Sequence, residues 1–183
     1  MELTKTIINS KIVKLFLIAI FGSILLTISA KIKIPFYPVP MTMQTFVVLF
    51  LGISFGYKVG TSAVILYLLE GISGLPVFSN SPEKGVGIAY FIGPTMGYLI
   101  GFVFACALAG YFKYDKNIIK NFLKILISTS LIYLFGVMWL GTFIGWDKPI
   151  LSLGVYPFLL AEIFKILLLA LLVGKITKLK NFI

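Results

Sequence analysis

The chain has 183 residues, 60% hydrophobic and 12% charged, with sixteen lysines, no arginine and six acids giving a net charge of +10. A soluble domain carries about 25% charged residues, so half that share, with repeated long apolar runs, excludes a water-soluble globule and indicates a multi-spanning membrane protein. There is no histidine and a single cysteine, Cys106, which excludes an intramolecular disulfide and histidine-based nucleophile pairs and leaves no ordinary ligand set for zinc.

Six helices are predicted in one domain spanning 1–183, at about 12–30, 41–56, 58–71, 94–112, 120–143 and 154–175, each end uncertain by about ±2–4 residues. The first follows Lys5, Lys11 and Lys14 and ends near Ser29-Ala30. It has the outline of a secretory signal, but the chain re-enters the membrane repeatedly, so it reads as an uncleaved span. Ala19 and Ser23 form a small-xxx-small pair on it, suited either to close packing within the chain or to a partner subunit. A loop stiffened by Pro35, Pro38 and Pro40 then leads into Thr42, Gln44 and Thr45 at the start of the second helix.

The second and third helices are shorter than the ~20 residues of a straight crossing. Only Gly56-Tyr57-Lys58 separates them, which reads as a tight helical hairpin. The same stretch, extended to Val59-Gly60-Thr61, lacks the Gly-Lys-Ser/Thr ending of a nucleotide loop, so any use of ATP falls to another subunit. Glu70 closes the third helix as an interfacial anchor. The loop 71–93 holds Ser79, Asn80, Ser81, Glu83, Lys84 and Tyr90. In the fourth helix Gly93, Gly97, Gly101, Ala105 and Ala109 recur every four residues, a pattern for close packing of a neighbouring helix of the same chain.

The last helix places Glu162 and Lys165 inside an apolar run, one turn apart and on one face. A charge at the centre of a membrane helix costs about 2.5–3.5 kcal/mol on the more lenient insertion scale and marks a functional site by default. A structural ion pair, or a lysine stem snorkelling outward, is the plainer alternative. Thr42, Gln44 and Asn80 could likewise be simple caps or turns. Tyr90 and Tyr98 could line a pocket or sit at the lipid interface.

Lysine placement sets the orientation. With the N-terminus inside, Lys5, Lys11, Lys14, Lys58, Lys113, Lys116, Lys120, Lys124, Lys175, Lys178 and Lys180 face the cytoplasm, and Lys31, Lys33, Lys84 and Lys148 face out. This eleven-to-four split follows the positive-inside rule and puts both termini in the cytoplasm. The basic charge therefore belongs to the membrane, not to nucleic acid. The two proline- and serine-containing loops and the outer half of the last helix then share the outer side. Glu162 and Lys165 lie roughly 10–17 Å below that helix's start at 1.5 Å per residue.

Four ordered stretches resemble one family. They are Ile34-Pro35-Phe36-Tyr37-Pro38-Val39-Pro40-Met41-Thr42-Met43-Gln44-Thr45, Gly74-Leu75-Pro76-Val77-Phe78, Gly93-Pro94-Thr95-Met96-Gly97-Tyr98-Leu99, and Pro157-Phe158-Leu159 followed by Glu162 and Lys165. Together they are similar to the BioY family, the biotin-specific substrate-binding component of energy-coupling-factor transporters. The resemblance implies a six-helix protein of the bacterial cytoplasmic membrane that binds biotin from outside, with neither cofactor nor catalysis of its own. It implies a transmembrane coupling protein and two cytoplasmic ATPases as partners, with the Ala19–Ser23 face docking the coupling protein.

Glu162 and Lys165 match the family's acid and lysine that contact biotin. Asn80, Gln44, Thr42, Tyr90 and Tyr98 complete the expected substrate site. The family's acid is usually aspartate after Pro-Gly; here Glu162 follows Leu160-Ala161. With no arginine in the chain, either Lys84 or nothing takes the place of an arginine that members can carry near the site. A component for another small vitamin or precursor is the nearest rival. An intramembrane enzyme and a non-catalytic scaffold are more remote.

Overall fold

A computed structural model describes residues 11–182. Lys5, counted above among the inward lysines, lies outside the described residues. Helices α1 (Lys11–Lys31), α2 (Gln44–Ile72), α3 (Gly87–Phe91), α4 (Met96–Tyr111), α5 (Ile118–Ile144), α6 (Ile150–Gly154) and α7 (Leu159–Ile176) make up most of the protein. Among the described residues, four stretches are helical, long and apolar enough to cross a membrane: Ile12–Lys31, Gln44–Ile72, Ile118–Ile144 and Ile150–Lys180. Met96–Tyr111 is a shorter apolar helix.

α2 is not one rod. Gly56 has φ 79° and ψ 171°, outside the helical region, and only glycine takes up a positive φ at no steric cost. The chain reverses there. Gln44 Nε2 donates to the Tyr67 hydroxyl at 2.8 Å, although these residues would stand about 35 Å apart on a continuous helix. A Cβ added at Gly60 would meet Leu51 O at 2.7 Å, so the two arms, 44–55 and 57–72, lie backbone against backbone.

The small residues of α4 serve the same purpose. A Cβ on Gly97 would lie 2.3 Å from Phe135 O, and one on Gly101 would lie 2.7 Å from Ile132 Cα. Ala105 and Ala109 are fully buried. The repeat is thus absorbed by packing within the chain, Gly97 and Gly101 against α5.

Three features depart from the expected helices. Residues Lys33–Ile34 (β1) and Met41–Thr42 (β2) pair as a two-residue antiparallel ladder, with Lys33 opposite Thr42, so α2 starts at Gln44 rather than at 41. The loop 71–93 contains α3. The helix expected from 154 starts instead at Leu159, after α6 and a 3-10 turn at Tyr156–Phe158. Pro157 accounts for the break: it has no N–H to donate and disfavours helical backbone in the residue before it.

Candidate functional site

The chain alternation collects β1, β2, the loop 73–95 and the ends of α1, α2, α4, α5 and α7 at one end of the bundle, here the hairpin end. Gly56, Tyr57, Tyr111 and Lys180 mark the other; the Tyr57 and Tyr111 rings lie 6.4 Å apart, and a Cβ on Gly56 would approach the Lys180 stem at 3.9 Å. A small, partly open pocket sits at the hairpin end. Thr42, Gln44, Tyr90, Tyr98 and Glu162, all named from sequence, line it, together with Thr45, Phe78, Ser79, Tyr133 and Phe158.

Its polar centre is a closed clasp. Lys165 Nζ donates to Glu162 Oε1 at 2.8 Å, to Thr45 Oγ1 at 3.0 Å and to the Thr42 carbonyl at 2.7 Å. Thr45 Oγ1 in turn donates to Glu162 Oε1 at 2.8 Å. An ammonium has three protons, and here each has an acceptor. Glu162 and Lys165 are 5% and 6% exposed, so neither charge is solvated by water. Glu162 Oε2 is different: it is buried and has no hydrogen-bond partner. An orphaned carboxylate oxygen in a low-dielectric site is costly, and it lies on a residue that lines the pocket. The Tyr133 hydroxyl on α5 faces the same carboxylate closely enough to interact as a donor, although it makes no hydrogen bond of ordinary length to Oε2.

The remaining polar side chains are held by local partners. Gln44 Oε1 accepts from Thr42 Oγ1 at 3.4 Å, and the Tyr67 hydroxyl that accepts from Gln44 passes its own proton to Val77 O at 3.2 Å. The Tyr98 hydroxyl donates to Gly154 O at 2.9 Å, leaving the ring edge-on to Tyr133 with centroids 6.1 Å apart. The Tyr90 ring stacks on Phe78 at 5.3 Å, while its hydroxyl meets Ser79 Oγ at 3.2 Å and accepts from the Asn80 amide at 3.1 Å. The apolar walls are therefore aromatic faces fixed in place by hydroxyl groups at their rims.

Several expected residues stand elsewhere. Asn80 is not on the pocket lining; its Oδ1 accepts from Lys33 Nζ at 3.0 Å. The stem of Lys165 lies in a neighbouring apolar groove with Leu160, Ala161 and Phe164. Lys84 is exposed and sits over the Tyr37 ring at 5.8 Å, so it does not replace an arginine in the pocket. Ser23 is buried and donates to Glu70, and Ala19 belongs to the core. A Cβ on the intervening Gly22 would clash with Ala63 at 2.7 Å. This pair therefore seats α1 against α2, and the outward face of α1 instead presents Phe16, Leu17, Phe21, Ile24 and Ile28. Glu70, expected as an interfacial anchor, is engaged in that same helix contact.

Thr45 was named from sequence only as part of the second helix's polar start, beside Thr42 and Gln44, and Tyr133, Phe78 and Phe158 were not singled out as site residues. Tyr133 carries only a faint signal, one hydroxyl inside the apolar run Leu131–Val137.

Known proteins give the same picture. The BioY family model matches residues 3–182. The chain is similar to a probable biotin transporter BioY of Pyrococcus horikoshii, 36% identical over 149 residues that cover 81% of this chain and 86% of that one. It is also similar to the biotin transporter BioY of Thermotoga maritima, 35% identical over 157 residues covering 85% and 91%. The crystal structure of an S-component for biotin from an ECF-type ABC transporter superposes with a TM-score of 0.77 at 26% identity, covering 93% of this chain and 94% of that one. A family match over nearly the whole length, with a shared fold and two relatives above 30% identity, establishes that this chain belongs to the BioY family.

Proposed function

We propose that the protein binds biotin in the hairpin-end pocket and mediates its uptake as the substrate-binding component of an energy-coupling-factor importer, without catalysing a reaction itself. The observation that carries this reading is the orphaned Glu162 Oε2 on an aromatic-lined pocket. It calls for a ligand with an N–H donor beside an apolar body, which biotin offers in its ureido group and fused rings. The ureido N–H meets Oε2, and the rings lie against Tyr98, Tyr133 and Phe158. Lys165, with its protons committed, holds and neutralises Glu162 rather than gripping the carboxylate tail. Gln44, Thr42, Tyr90 and Asn80 shape and support the remaining walls.

The single unit 1–183 then crosses the bacterial cytoplasmic membrane six times, with each arm of α2 making its own short crossing and both termini inside. The eleven-to-four lysine split supports this orientation, and it places the pocket on the outer side. A transmembrane coupling protein and two cytoplasmic ATPases drive release inward. The coupling protein meets the outward face of α1, while Ala19 and Ser23 set how that helix is seated.

Calorimetry of biotin against the detergent-purified protein tests the ligand. Tight one-to-one binding, weakened at least tenfold by Glu162→Gln (about 1.4 kcal/mol), is expected. Absence of binding by well-folded protein would reject biotin and turn the search to other small vitamins.

A further inference from the structure

Lys31 at the end of α1 and Lys33 in β1 reach across to the loop walling the pocket. Lys31 Nζ donates to Phe78 O at 2.7 Å and Ser81 O at 2.6 Å. Lys33 Nζ donates to Ser79 O at 2.7 Å and Asn80 Oδ1 at 3.0 Å. Neither ammonium pairs with a carboxylate among the described residues. Both are spent on one four-residue turn.

That turn is part of the site. Phe78 and Ser79 line the pocket, and Tyr90 is tied to the turn by its ring stacked on Phe78, a hydrogen bond with Ser79 Oγ and one accepted from the Asn80 backbone N–H. Phe78 has an apolar anchor of its own: it is 1% exposed and packs so closely on Gly71 that a Cβ there would lie 2.1 Å from its ring. Residues 79–81 have no such anchor. Ser79 and Ser81 are buried, and among the described residues no donor other than the lysines reaches their carbonyls. A charged donor makes a stronger hydrogen bond than a neutral one, and one ammonium can bridge two acceptors at once. Moving the end of α1 together with β1 away from the loop would strip four bonds at once and leave the Ser79 and Ser81 carbonyls bare.

We propose that Lys31 and Lys33 are positioning residues that latch the Phe78–Ser81 wall over the pocket, so that movement of the α1–β1 junction relative to this loop governs release of the bound ligand. The latch rests on the pocket reading above for its ligand, but the wall itself can be followed without one.

Hydrogen exchange on the ligand-free, detergent-purified protein gives the first readout. In the Lys31→Met/Lys33→Met double variant, amides within 77–91 should exchange at least tenfold faster, with α5 unchanged and protection largely restored by the corresponding double arginine variant. Biotin dissociation should accelerate at least tenfold in the same methionine variant. Unchanged exchange at 77–91 would overturn the latch. So would equal acceleration in α5, which marks a general loss of stability, or local opening with an unaltered dissociation rate. If the wild-type protein does not hold biotin, the ligand reading fails on its own and the exchange result alone decides the latch.

Discussion

Of the three lysine–carboxylate pairs among the described residues, two stand at opposite ends of this bundle. At the hairpin end, Lys165 and Glu162 are 2.8 Å apart with side chains 7% and 6% exposed. At the Gly56 end, Lys124 and Asp115 are 3.6 Å apart at 26% and 47% exposure. The exposed pair keeps water on both partners and gains little from meeting. The buried pair has given up its water and depends on complete hydrogen bonding to break even. Lys165 has that completeness and Glu162 does not, since Oε2 is unpartnered. A pair kept only for stability would have no reason to leave that atom bare. On the proposed function, the same two chemical groups serve a local helix start in one place and a recognition site in the other.

The largest expected effect separates these roles directly. Lys165→Ala strands the Glu162 carboxylate in a dry site, and loss of one partner of a buried pair costs about 3–5 kcal/mol. Thermal unfolding in detergent should show a marked fall in stability. Replacing both partners, Glu162→Leu with Lys165→Met, should recover most of that stability while abolishing biotin binding. A double variant as unstable as the single one would make the clasp structural.

Next in size is Glu162→Gln. The amide retains an acceptor for Lys165 and Thr45 but removes the charge and turns an N–H toward the pocket in place of Oε2. Binding should weaken at least tenfold, about 1.4 kcal/mol, with a smaller loss of stability than Lys165→Ala. Thr45→Val, smaller again, removes one bond from each partner of the clasp. Both bonds are to charged groups, each worth about 1.5–3 kcal/mol, so a clear loss of stability is expected with a few-fold loss of affinity by calorimetry, and Thr45→Ser should restore both.

How far the site could be read in the sequence follows from the same contrast. Glu162 and Lys165 are conspicuous because charges in an apolar run are rare, whatever surrounds them. Thr45 is not, because its role arises only when residues 117 and 120 positions away come to it. The helical reversal at Gly56 was legible from one glycine between two short apolar runs. The delayed start of α7 was also within reach, since Pro157 is a local obstacle. The β1–β2 ladder was not: two-residue strands have no periodicity to detect. Ala19 and Ser23 show a further limit, since small residues announce a close approach without saying whose. Lys31 and Lys33 were counted only as charges for orientation, and their hydrogen bonds to the loop depend on tertiary structure that spacing does not encode.

The smallest effect belongs to the exposed pair and sharpens the comparison from the other side. The Asp115 carboxylate accepts from the Asn117 backbone N–H at 2.7 Å. That bond first, and Lys124 and Lys120 after it, hold the Asp115 carboxyl below its ordinary 3.8. A group depressed on folding contributes stability that is present above its unfolded value and lost as pH falls through the folded value. Asp115→Asn should therefore lower the thermal midpoint slightly near neutral pH, with the difference from wild type shrinking as pH falls below about 4. Biotin affinity should not change at any pH where both proteins are folded. A binding defect in Asp115→Asn comparable with that of Glu162→Gln would mean that the two ends are coupled, and that burial alone does not decide which pair serves the ligand.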